Sequence, residues 1–519
     1  MAKDINLKNS RTWNVLRNIS WAFLLQIVLM LLQFFSRTVF VLKLGREYLG
    51  ITGLFSDLML ILGLANFRIP EAIVLSMYKP LSDGNRGRVL AWFSFYRKAF
   101  ILIRIATLAL GLILIPILPF LIKDPPDIPE NFTIIYLFFL TQLIVSYFVI
   151  HKRSIIFADQ KNYIINIYLK LFHYIQIIVQ IIVLLIMQNF YLFLLVEAFL
   201  TVLMNFLISR KADKMYPFIK EKCTYKLDKD EISEFFINTK SMFIYALGSI
   251  ALIGIDSILV SSIVGIGILG LCSNYMLIIN SVKALIDQAM TGFTASIGNL
   301  NTQKNIEATE NVFNQVNFIV FAVAAFFSIN LAVSLSPLIT VWLGDSFLIS
   351  QAIVISLVLR FYVMGTQYTT FTFRSTLGLL KKLKYIPLMT AFVNIFLSIV
   401  MGRFLGVTGI FFASSIAIFF FTIIPEALIL YKNIFTKSSK MFFIRYFGYL
   451  IFMAINYLIT SYLLEQIKFS GWIGFFARAF CGAVISGLLF IILFFRDRNF
   501  KLICSRVIFI AKSWRSKNE

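Results

Sequence analysis

The sequence predicts an all-α polytopic membrane protein, and three observations carry that prediction. Of its 519 residues, 59% are hydrophobic and 14% are charged, whereas soluble domains average about 45–50% apolar and about 25% charged residues. Apolar runs of about 20 residues, long enough to cross a bilayer, recur along the chain. These runs do not alternate between apolar and polar residues as the strands of a membrane β-barrel do. An ordinary soluble fold is therefore excluded.

The apolar runs predict about 14 transmembrane helices. The predicted spans cover residues 14–42, 48–77, 93–122, 132–150, 163–187, 190–208, 236–264, 268–298, 312–341, 348–378, 385–402, 407–430, 442–464 and 472–495. The segments between them are alternately rich in Lys and Arg and nearly free of both. Because cytoplasmic loops carry the positive charge, both termini are expected in the cytoplasm. The formal net charge of +23 has the same explanation, so no nucleic-acid partner is predicted.

Two long stretches of the chain match each other at a shift of 220 residues. Residues 18–76 superimpose on residues 238–296 without a gap, and the corner at 45–50 falls on the corner at 265–270. Beyond the next loop the shift becomes 221, and a proline, an aspartate and an Arg-Ser pair still match. Such matches predict a duplicated six-helix bundle, an arrangement common among membrane transporters.

The duplication divides the chain into five predicted segments. They are an N-terminal lobe with spans 1–6 (1–209), a cytoplasmic linker (210–235), a C-terminal lobe with spans 7–12 (236–432), spans 13 and 14 (433–495) and a basic cytoplasmic tail (496–519). Every predicted outer loop is short. The function is therefore expected to be carried out within the membrane.

Polar and charged side chains inside the predicted spans are the candidate binding residues, because each costs free energy unless it faces protein or water. The candidates for a cationic cavity are Gln33, Arg37, Arg104, Lys170, Arg360, Gln367 and Arg374. Spacings of four and seven residues place members of one span on a common helix face. We expect them to line a water-accessible, positively charged cavity between the bundles that holds an anionic substrate, since arginine can bind phosphate with two hydrogen bonds.

Some of these charges have simpler explanations. Arg97, Arg374 and Glu426 lie near the ends of predicted spans, where a long side chain often reaches out to the interface. Lys283 and Asp287 are four residues apart, so a pair that neutralises itself is the favoured interpretation there.

No feature of the sequence indicates an enzyme. It contains neither a P-loop nor an H-E-x-x-H motif, and His151 and His173 have no partner at the spacing of a metal site or a catalytic triad. No cofactor is expected. Coupling to a H⁺ or Na⁺ gradient is left open, with Asp57, Asp256 and Asp287 as the candidate residues.

Several motifs resemble those of bacterial polysaccharide flippases of the O-antigen and capsule transporter type. Residues 37–40, 44–51 and 53–56 are similar to the first helical hairpin of these proteins. Residues 158–163 after the fourth span continue the likeness, as do Tyr216 and Pro217 before the linker. The flippases belong to the multidrug/oligosaccharidyl-lipid/polysaccharide (MOP) exporter superfamily, whose fold is shared by the multidrug exporters called MATE transporters.

The resemblance implies a fold and a function. It implies two six-helix lobes around a central cavity that opens alternately to either side of the bacterial cytoplasmic membrane. The expected substrate is an oligosaccharide linked to undecaprenyl pyrophosphate, and membrane lipids and other polysaccharide assembly proteins are expected partners. The chain departs from the family pattern at residues 65–70, where Arg68 stands in place of an acidic residue found in many relatives.

Two other functions are left open by the sequence. A MATE-like, cation-coupled exporter of small molecules needs acidic residues deep within a lobe, which Asp57, Asp256 or Asp287 could supply, but the basic excess argues against it. A membrane polymerase or ligase of polysaccharide assembly should carry a sizeable outer loop with catalytic residues, and every outer loop here is short.

Overall fold

The predicted all-α class is confirmed by a computed structural model of the chain. The structure describes residues 11–63, 69–223, 225–302, 306–379, 382–435, 437–466 and 470–505. Within those ranges the chain forms helices joined by short connections, and no strand occurs among them.

Across the described residues the chain forms 17 α-helices. They are α1 (Arg11–Leu44), α2 (Arg46–Leu62), α3 (Ile69–Ser82), α4 (Arg86–Leu114), α5 (Leu118–Leu121), α6 (Phe132–Tyr147), α7 (Ile150–Ala158), α8 (Asn162–Met187), α9 (Phe190–Met215), α10 (Lys229–Leu259), α11 (Ile266–Thr302), α12 (Ile306–Leu343), α13 (Gln351–Thr376), α14 (Ile386–Ile418), α15 (Ile424–Asn433), α16 (Lys440–Glu465) and α17 (Gly471–Phe494). Short 3₁₀ and π-helical segments continue several of them, among them Pro217–Lys220 and Val260–Val264.

The structure supports a multi-pass membrane protein. Among the described residues, 11 helical segments are long and apolar enough to cross a membrane, or 12 if the bent pair α6 and α7 is one span. The apolar segment Ile386–Asn433 is 48 residues long and contains two predicted spans, with a non-helical Gly406 between them. The predicted span 48–77 falls on α2 and α3. The number 14 therefore remains a prediction.

Local sequence explains where several helices begin. The side chains of Asn85, Asn131 and Asn189 accept hydrogen bonds from backbone N–H groups in the first turns of α4, α6 and α9. Asp228 and Glu231 form a capping box at the start of α10. Such caps satisfy N–H groups that have no partner within the helix, and each stabilises a helix by about 1 kcal/mol.

Contacts within the chain define two compact units. The first unit comprises Ile27–Ser273 and Lys384–Gly406. The second unit comprises Met1–Gln26, Asn274–Leu383 and Val407–Glu519. This division is not the one drawn from the sequence, which separated residues 1–209 from residues 236–432, and the predicted lobes remain a prediction.

Close helix contacts explain why the distant segment Lys384–Gly406 belongs to the first unit. Gly248 in α10 lies so near the start of α14 that a Cβ atom there would be 2.1 Å from the backbone nitrogen of Leu388. Two turns further along, the Asn394 side chain donates a hydrogen bond of 3.5 Å to Asp256 of α10. A glycine and a polar pair thus hold these two helices together, as is usual between membrane helices.

The two repeats predicted from the sequence make a reciprocal contact inside the first unit. A Cβ atom on Gly50 of α2 would lie 2.2 Å from the carbonyl oxygen of Ile266, and one on Gly270 of α11 would lie 2.3 Å from the carbonyl oxygen of Arg46. Both glycines and both carbonyl residues are related by the 220-residue shift. Each repeat therefore offers the other the same surface, which is the pattern that two-fold symmetry requires.

The corners before these helices also correspond. Gly45 and Gly265 both have positive φ, 97° and 144°, where other residues are strained. The second corner differs because π-helical residues precede it. There Lys123 is attached through its backbone N–H to the Ser261 carbonyl at 3.2 Å and through its ammonium group to the Ile263 carbonyl at 2.7 Å.

Aromatic and polar contacts join the helices of the second unit. The rings of Phe321 in α12 and Tyr449 in α16 stack with their centroids 3.7 Å apart. Asn330 of α12 donates a hydrogen bond of 3.0 Å to Ser486 of α17, and Asn456 of α16 donates one of 3.2 Å to the Ser486 carbonyl. The two last spans of the prediction are therefore packed into this unit.

Candidate functional site

A cavity of about 580 Å³ opens inside the first unit. Its walls come from α4, the connection between α6 and α7, α7 itself, the last turns of α9 and the 3₁₀ segment Pro217–Lys220. Charged side chains dominate its polar lining: Arg97, Arg104, Lys152, Asp213, Lys220 and Glu221. Four of the six are basic, so the cavity has a cationic character.

The carboxylate of Asp213 neutralises only part of this charge. Its Oδ1 atom lies 2.7 Å from the ammonium group of Lys152, which also donates a hydrogen bond of 2.8 Å to Ser209. Its Oδ2 atom lies 3.7 Å from the ammonium group of Lys220. One carboxylate is thus shared by two lysines.

The two arginines of the cavity are arranged differently from the lysines. Within the described part of the chain, neither Arg97 nor Arg104 forms an ion pair with a carboxylate. The guanidinium of Arg104 lies over the ring of Phe148, 3.9 Å from its centroid. A ring face holds an arginine in place and leaves the edge of the guanidinium free to donate hydrogen bonds.

The sequence makes Arg104 a candidate for a cavity between the bundles, whereas the cavity that it lines here lies within the first unit. Most of the other residues that line this cavity were not candidates. The interpretation of Arg97 as an interfacial side chain left it outside the candidate set, although the seven-residue spacing to Arg104 shows that both lie on one face of α4. Lys152 and Asp213 come from segments expected at the cytoplasmic surface. Their approach to α4 depends on how three helices pack, which no local pattern reveals.

The candidates Gln33, Arg37 and Lys170 lie elsewhere in the first unit. Arg37 is half-buried in α1, and its guanidinium donates a hydrogen bond of 3.4 Å to the hydroxyl of Ser273. One turn earlier, the amide of Gln33 lies 3.5 Å from the ring nitrogen Nε2 of His173 in α8. Lys170 precedes that histidine by one turn and is exposed. The contact between Gln33 and His173 thus joins the polar faces of α1 and α8.

The candidates of the second unit include a buried ion pair. Arg374 and Glu426 are both 0% exposed, and Nε of the arginine lies 3.2 Å from Oε1 of the glutamate. Thr370 donates a hydrogen bond of 2.6 Å to the same carboxylate, and Gln367 donates one of 3.5 Å. The expectation that both charged side chains reach out to the membrane–water interface is wrong, because they form an ion pair with each other inside the unit. These surroundings favour a structural role for Arg374.

Arg360 lies in a more open environment. It is half-buried in α13, and its guanidinium lies 5.8 Å from the centroid of the Phe411 ring. Its assignment to a binding cavity remains a prediction, as do those of Arg37, Lys170 and Gln33.

The three candidate acids have different surroundings. Asp256 in α10 is 1% exposed and accepts the hydrogen bond from Asn394, whose own carbonyl oxygen accepts one of 3.0 Å from Ser398. Asp57 in α2 is half-buried. Asp287 is exposed and forms an ion pair with Lys283, as the four-residue spacing predicted. Among the described residues, no group of three His, Cys, Asp or Glu side chains could hold a metal ion.

Two motifs that carry the family resemblance meet beside the cavity. The carboxylate of Asp159, at the end of α7, accepts a hydrogen bond of 2.6 Å from the Tyr216 hydroxyl and lies 2.6 Å from the Lys161 ammonium group. Burial alone would raise the pKa of Asp159, but the hydrogen bonds from Lys161 and Tyr216 outweigh it and hold that pKa below its ordinary value. In the stretch 65–70 that departs from the family pattern, residues 65–68, Arg68 among them, lie outside the described residues.

Fold and composition together define a multi-pass helical membrane protein. Several solved structures have a similar fold, including the three that follow. The lipid II flippase MurJ, in an inward closed conformation, has a TM-score of 0.61 at 18% identity, covering 91% of this chain and 98% of that one. An inward-facing multidrug resistance MATE family transporter of the MOP superfamily has a TM-score of 0.55 at 12% identity, covering 76% and 94%. A MATE transporter of Vibrio cholerae has a TM-score of 0.55 at 13% identity, and the match covers 81% of this chain and 98% of that one.

At these identities the similarity establishes the fold. No protein-family model matches the sequence, and no curated protein matches it either. The MATE-like fold expected from the resemblance is therefore confirmed, and the O-antigen or capsule type remains a proposal.

Proposed function

We propose that this protein is a flippase that moves an undecaprenyl-pyrophosphate-linked oligosaccharide, the repeat unit of a surface polysaccharide, across the bacterial cytoplasmic membrane. One observation carries the proposal. The fold of a lipid II flippase covers 91% of this chain and 98% of the flippase, at the highest TM-score of the three structures compared. A lipid-linked substrate fits that likeness better than a soluble drug does.

The chemistry of the buried side chains supports an anionic substrate. A flippase for such a lipid must hold phosphate groups while they leave water, and a cation inside a membrane helix lowers that cost. Arg37 and Arg360 are half-buried in helical segments long enough to span a membrane. Their guanidinium groups can each donate two hydrogen bonds to one phosphate. Translocation by alternating access breaks no covalent bond, so the protein is proposed not to be an enzyme.

The second candidate function is a cation-coupled exporter of small molecules. Asp256 favours it, because this carboxylate is almost fully buried and faces the amide of Asn394 within the first unit. A buried carboxylate can hold a proton or Na⁺, and its release on one side of the membrane could drive export. The same residue could equally couple a flippase to an ion gradient, so Asp256 alone does not choose between the two functions.

The proposal is tested by transbilayer movement of an undecaprenyl-pyrophosphate-linked oligosaccharide in proteoliposomes. Wild type is compared with the double variant Arg37→Ala and Arg360→Ala. Each lost arginine removes charged hydrogen bonds worth about 1.5–3 kcal/mol, so we expect transport to fall at least about tenfold. A matched control, Arg403→Ala with Arg496→Ala, removes one exposed arginine from each unit and should retain wild-type transport.

Two outcomes would change this proposal. Equal transport by the wild type and the double variant would leave the flippase function standing but remove Arg37 and Arg360 from the substrate path. Absence of lipid transport, together with gradient-driven efflux of organic cations that is abolished by Asp256→Asn, would favour the exporter. Folding of each variant is checked by its elution as a single species in detergent.

A further inference from the structure

The cationic cavity of the first unit lies at the depth of lipid headgroups. After Arg104 the chain has 18 consecutive residues without charge, 105–122, and then Lys123. At 1.5 Å per residue these cover about 27 Å, close to the thickness of the hydrocarbon layer. Arg104 and Lys123 therefore mark the two boundaries of that layer. Arg97 lies about 10 Å outside it, on the side where α4 begins.

That side is the cytoplasmic one in the predicted topology. Arg86 and Arg88 at the start of α4 belong to the basic loops that the positive-inside rule places in the cytoplasm. The cytoplasmic leaflet carries anionic phospholipids, whose negative surface potential attracts basic side chains. The arginines of the cavity thus stand at the level of anionic phosphate groups.

The cavity borders an apolar surface that stays exposed among the described residues of the chain. Ile101 and Phe148, which line the cavity, are 40% and 53% exposed, and Ile105 on the next turn of α4 is 57% exposed. In a membrane protein such a surface contacts acyl chains. A lipid that lies along α4 would bring its headgroup to the opening of the cavity.

We propose that this cavity binds the phosphate headgroup of an anionic phospholipid from the cytoplasmic leaflet. Arg104, held on the Phe148 ring, and Arg97 donate hydrogen bonds to the phosphate, and the acyl chain lies along Ile101 and Ile105. Asp213 and Ser209 already use two of the three N–H donors of the Lys152 ammonium group, so the two arginines are the main donors to the phosphate. The inference does not depend on which substrate is transported, and it assigns Arg104 to a resident lipid.

A volume of about 580 Å³ is much larger than one phosphate and falls within the range of small-molecule sites, about 300–1,000 Å³. Inorganic phosphate offers the same charge to the arginines but leaves the apolar surface uncovered. A phospholipid should therefore bind more tightly than inorganic phosphate, and a binding measurement distinguishes the two ligands.

The test measures binding to the purified full-length protein in a neutral detergent by native mass spectrometry. The probes are dioctanoyl phosphatidylglycerol, dioctanoyl phosphatidylcholine and inorganic phosphate. For the wild type we expect phosphatidylglycerol to bind at least about tenfold more tightly than either of the others. The double variant Arg97→Gln with Arg104→Gln should bind phosphatidylglycerol about tenfold more weakly than the wild type. A tenfold loss corresponds to at least one charged hydrogen bond.

A matched control separates this site from general attraction by positive charge. Arg210→Gln with Lys211→Gln removes two exposed cations from the same unit, one of them also placed over a ring, Phe206, at 4.5 Å. This control should keep wild-type affinity. If both double variants lose affinity equally, or neither does, the cavity is not the lipid site and the proposal fails. If inorganic phosphate displaces phosphatidylglycerol at equal concentration, the assignment to a lipid fails.

A second measurement does not rely on the variants folding. A phosphatidylglycerol with a photoreactive headgroup is cross-linked to the wild-type protein in proteoliposomes, and the labelled peptides are identified. Labels should fall on residues 97–104 and 148–152. Labels confined to other segments would overturn the proposal.

Discussion

Arg374 and Arg104 are two arginines in membrane helices, and the sequence makes both of them candidates for a cationic cavity. Arg374 is 0% exposed, lies 3.2 Å from the carboxylate of Glu426 and faces the donors Thr370 and Gln367. Arg104 lines an open cavity, where its described contact is the ring of Phe148 and no carboxylate pairs with it. The difference shows that a partner distant in sequence decides whether such a charge belongs to the packing or is available to a ligand.

The energetic consequences of the two environments are opposite. A buried ion pair has already lost its hydration, so removal of one partner leaves the other charge uncompensated. An arginine in an aqueous cavity keeps water as an alternative partner, and its loss costs the folded state little. Substitutions at the two sites should therefore separate stability from binding.

The largest expected effect is that of Arg374→Ala. It leaves the Glu426 carboxylate buried without its cation, and we expect a loss of about 3–5 kcal/mol of stability. The measurement is the midpoint of thermal unfolding in detergent, compared with the wild type. An unchanged midpoint would contradict the structural role and return Arg374 to the candidate binding residues.

The second prediction removes both charges of the pair. Arg374→Met with Glu426→Leu replaces the pair by apolar side chains of similar size, which is often neutral or stabilising in a protein interior. We expect the double variant to be less destabilised than Arg374→Ala, with a coupling energy well above the error of about 0.5 kcal/mol. The cycle is completed by Glu426→Leu alone. Additive losses would mean that the two side chains do not interact.

The third prediction changes the wall of the cavity. Asp213→Asn takes away the carboxylate shared by Lys152 and Lys220, so that the cavity gains positive charge. Because these side chains are partly exposed, the loss of stability should be about 1 kcal/mol or less. Binding of dioctanoyl phosphatidylglycerol should tighten by about two- to fivefold, in proportion to the added Coulomb attraction. Weaker binding would show that Asp213 positions a cation rather than neutralising one.

The fourth prediction concerns the ion pair of Asp159 and Lys161, which is more exposed than the pair of Arg374 and Glu426 but, unlike Arg104, includes a carboxylate. Because folding lowers the pKa of Asp159, its carboxylate form stabilises the folded state. That stabilisation is complete above the unfolded pKa of about 3.9 and is lost as the pH falls through the lower folded value. Asp159→Asn should therefore unfold at a lower temperature than the wild type at pH 7, and the gap should narrow as the pH falls below about 3.9. A gap that stays constant would exclude the carboxylate as its cause.

Sequence reasoning predicted those parts of the fold that depend on local pattern. Apolar runs predicted the helices, and the matching glycines at 50 and 270 were part of the evidence for a repeat. In the structure each of these glycines packs against the other repeat. Sequence reasoning could not foresee that Asp256 and Asn394, 138 residues apart, would meet. The burial of Arg374 against Glu426 was missed for the same reason. Each depends on the packing of two helices that have no signal in common.

The smallest expected effect on stability is that of Arg104→Gln, the counterpart of the first prediction. The substitution loses the contact with the Phe148 ring, worth about 0.5–1 kcal/mol, and relieves repulsion from Arg97 and Lys152. The two contributions oppose each other, so the free energy of unfolding should change by no more than about 0.5 kcal/mol. The variant is examined in the same thermal unfolding series as Arg374→Ala, with Arg210→Gln as the exposed control. A loss as large as that of Arg374→Ala would mean that Arg104 supports the fold, and the contrast between the two arginines would disappear.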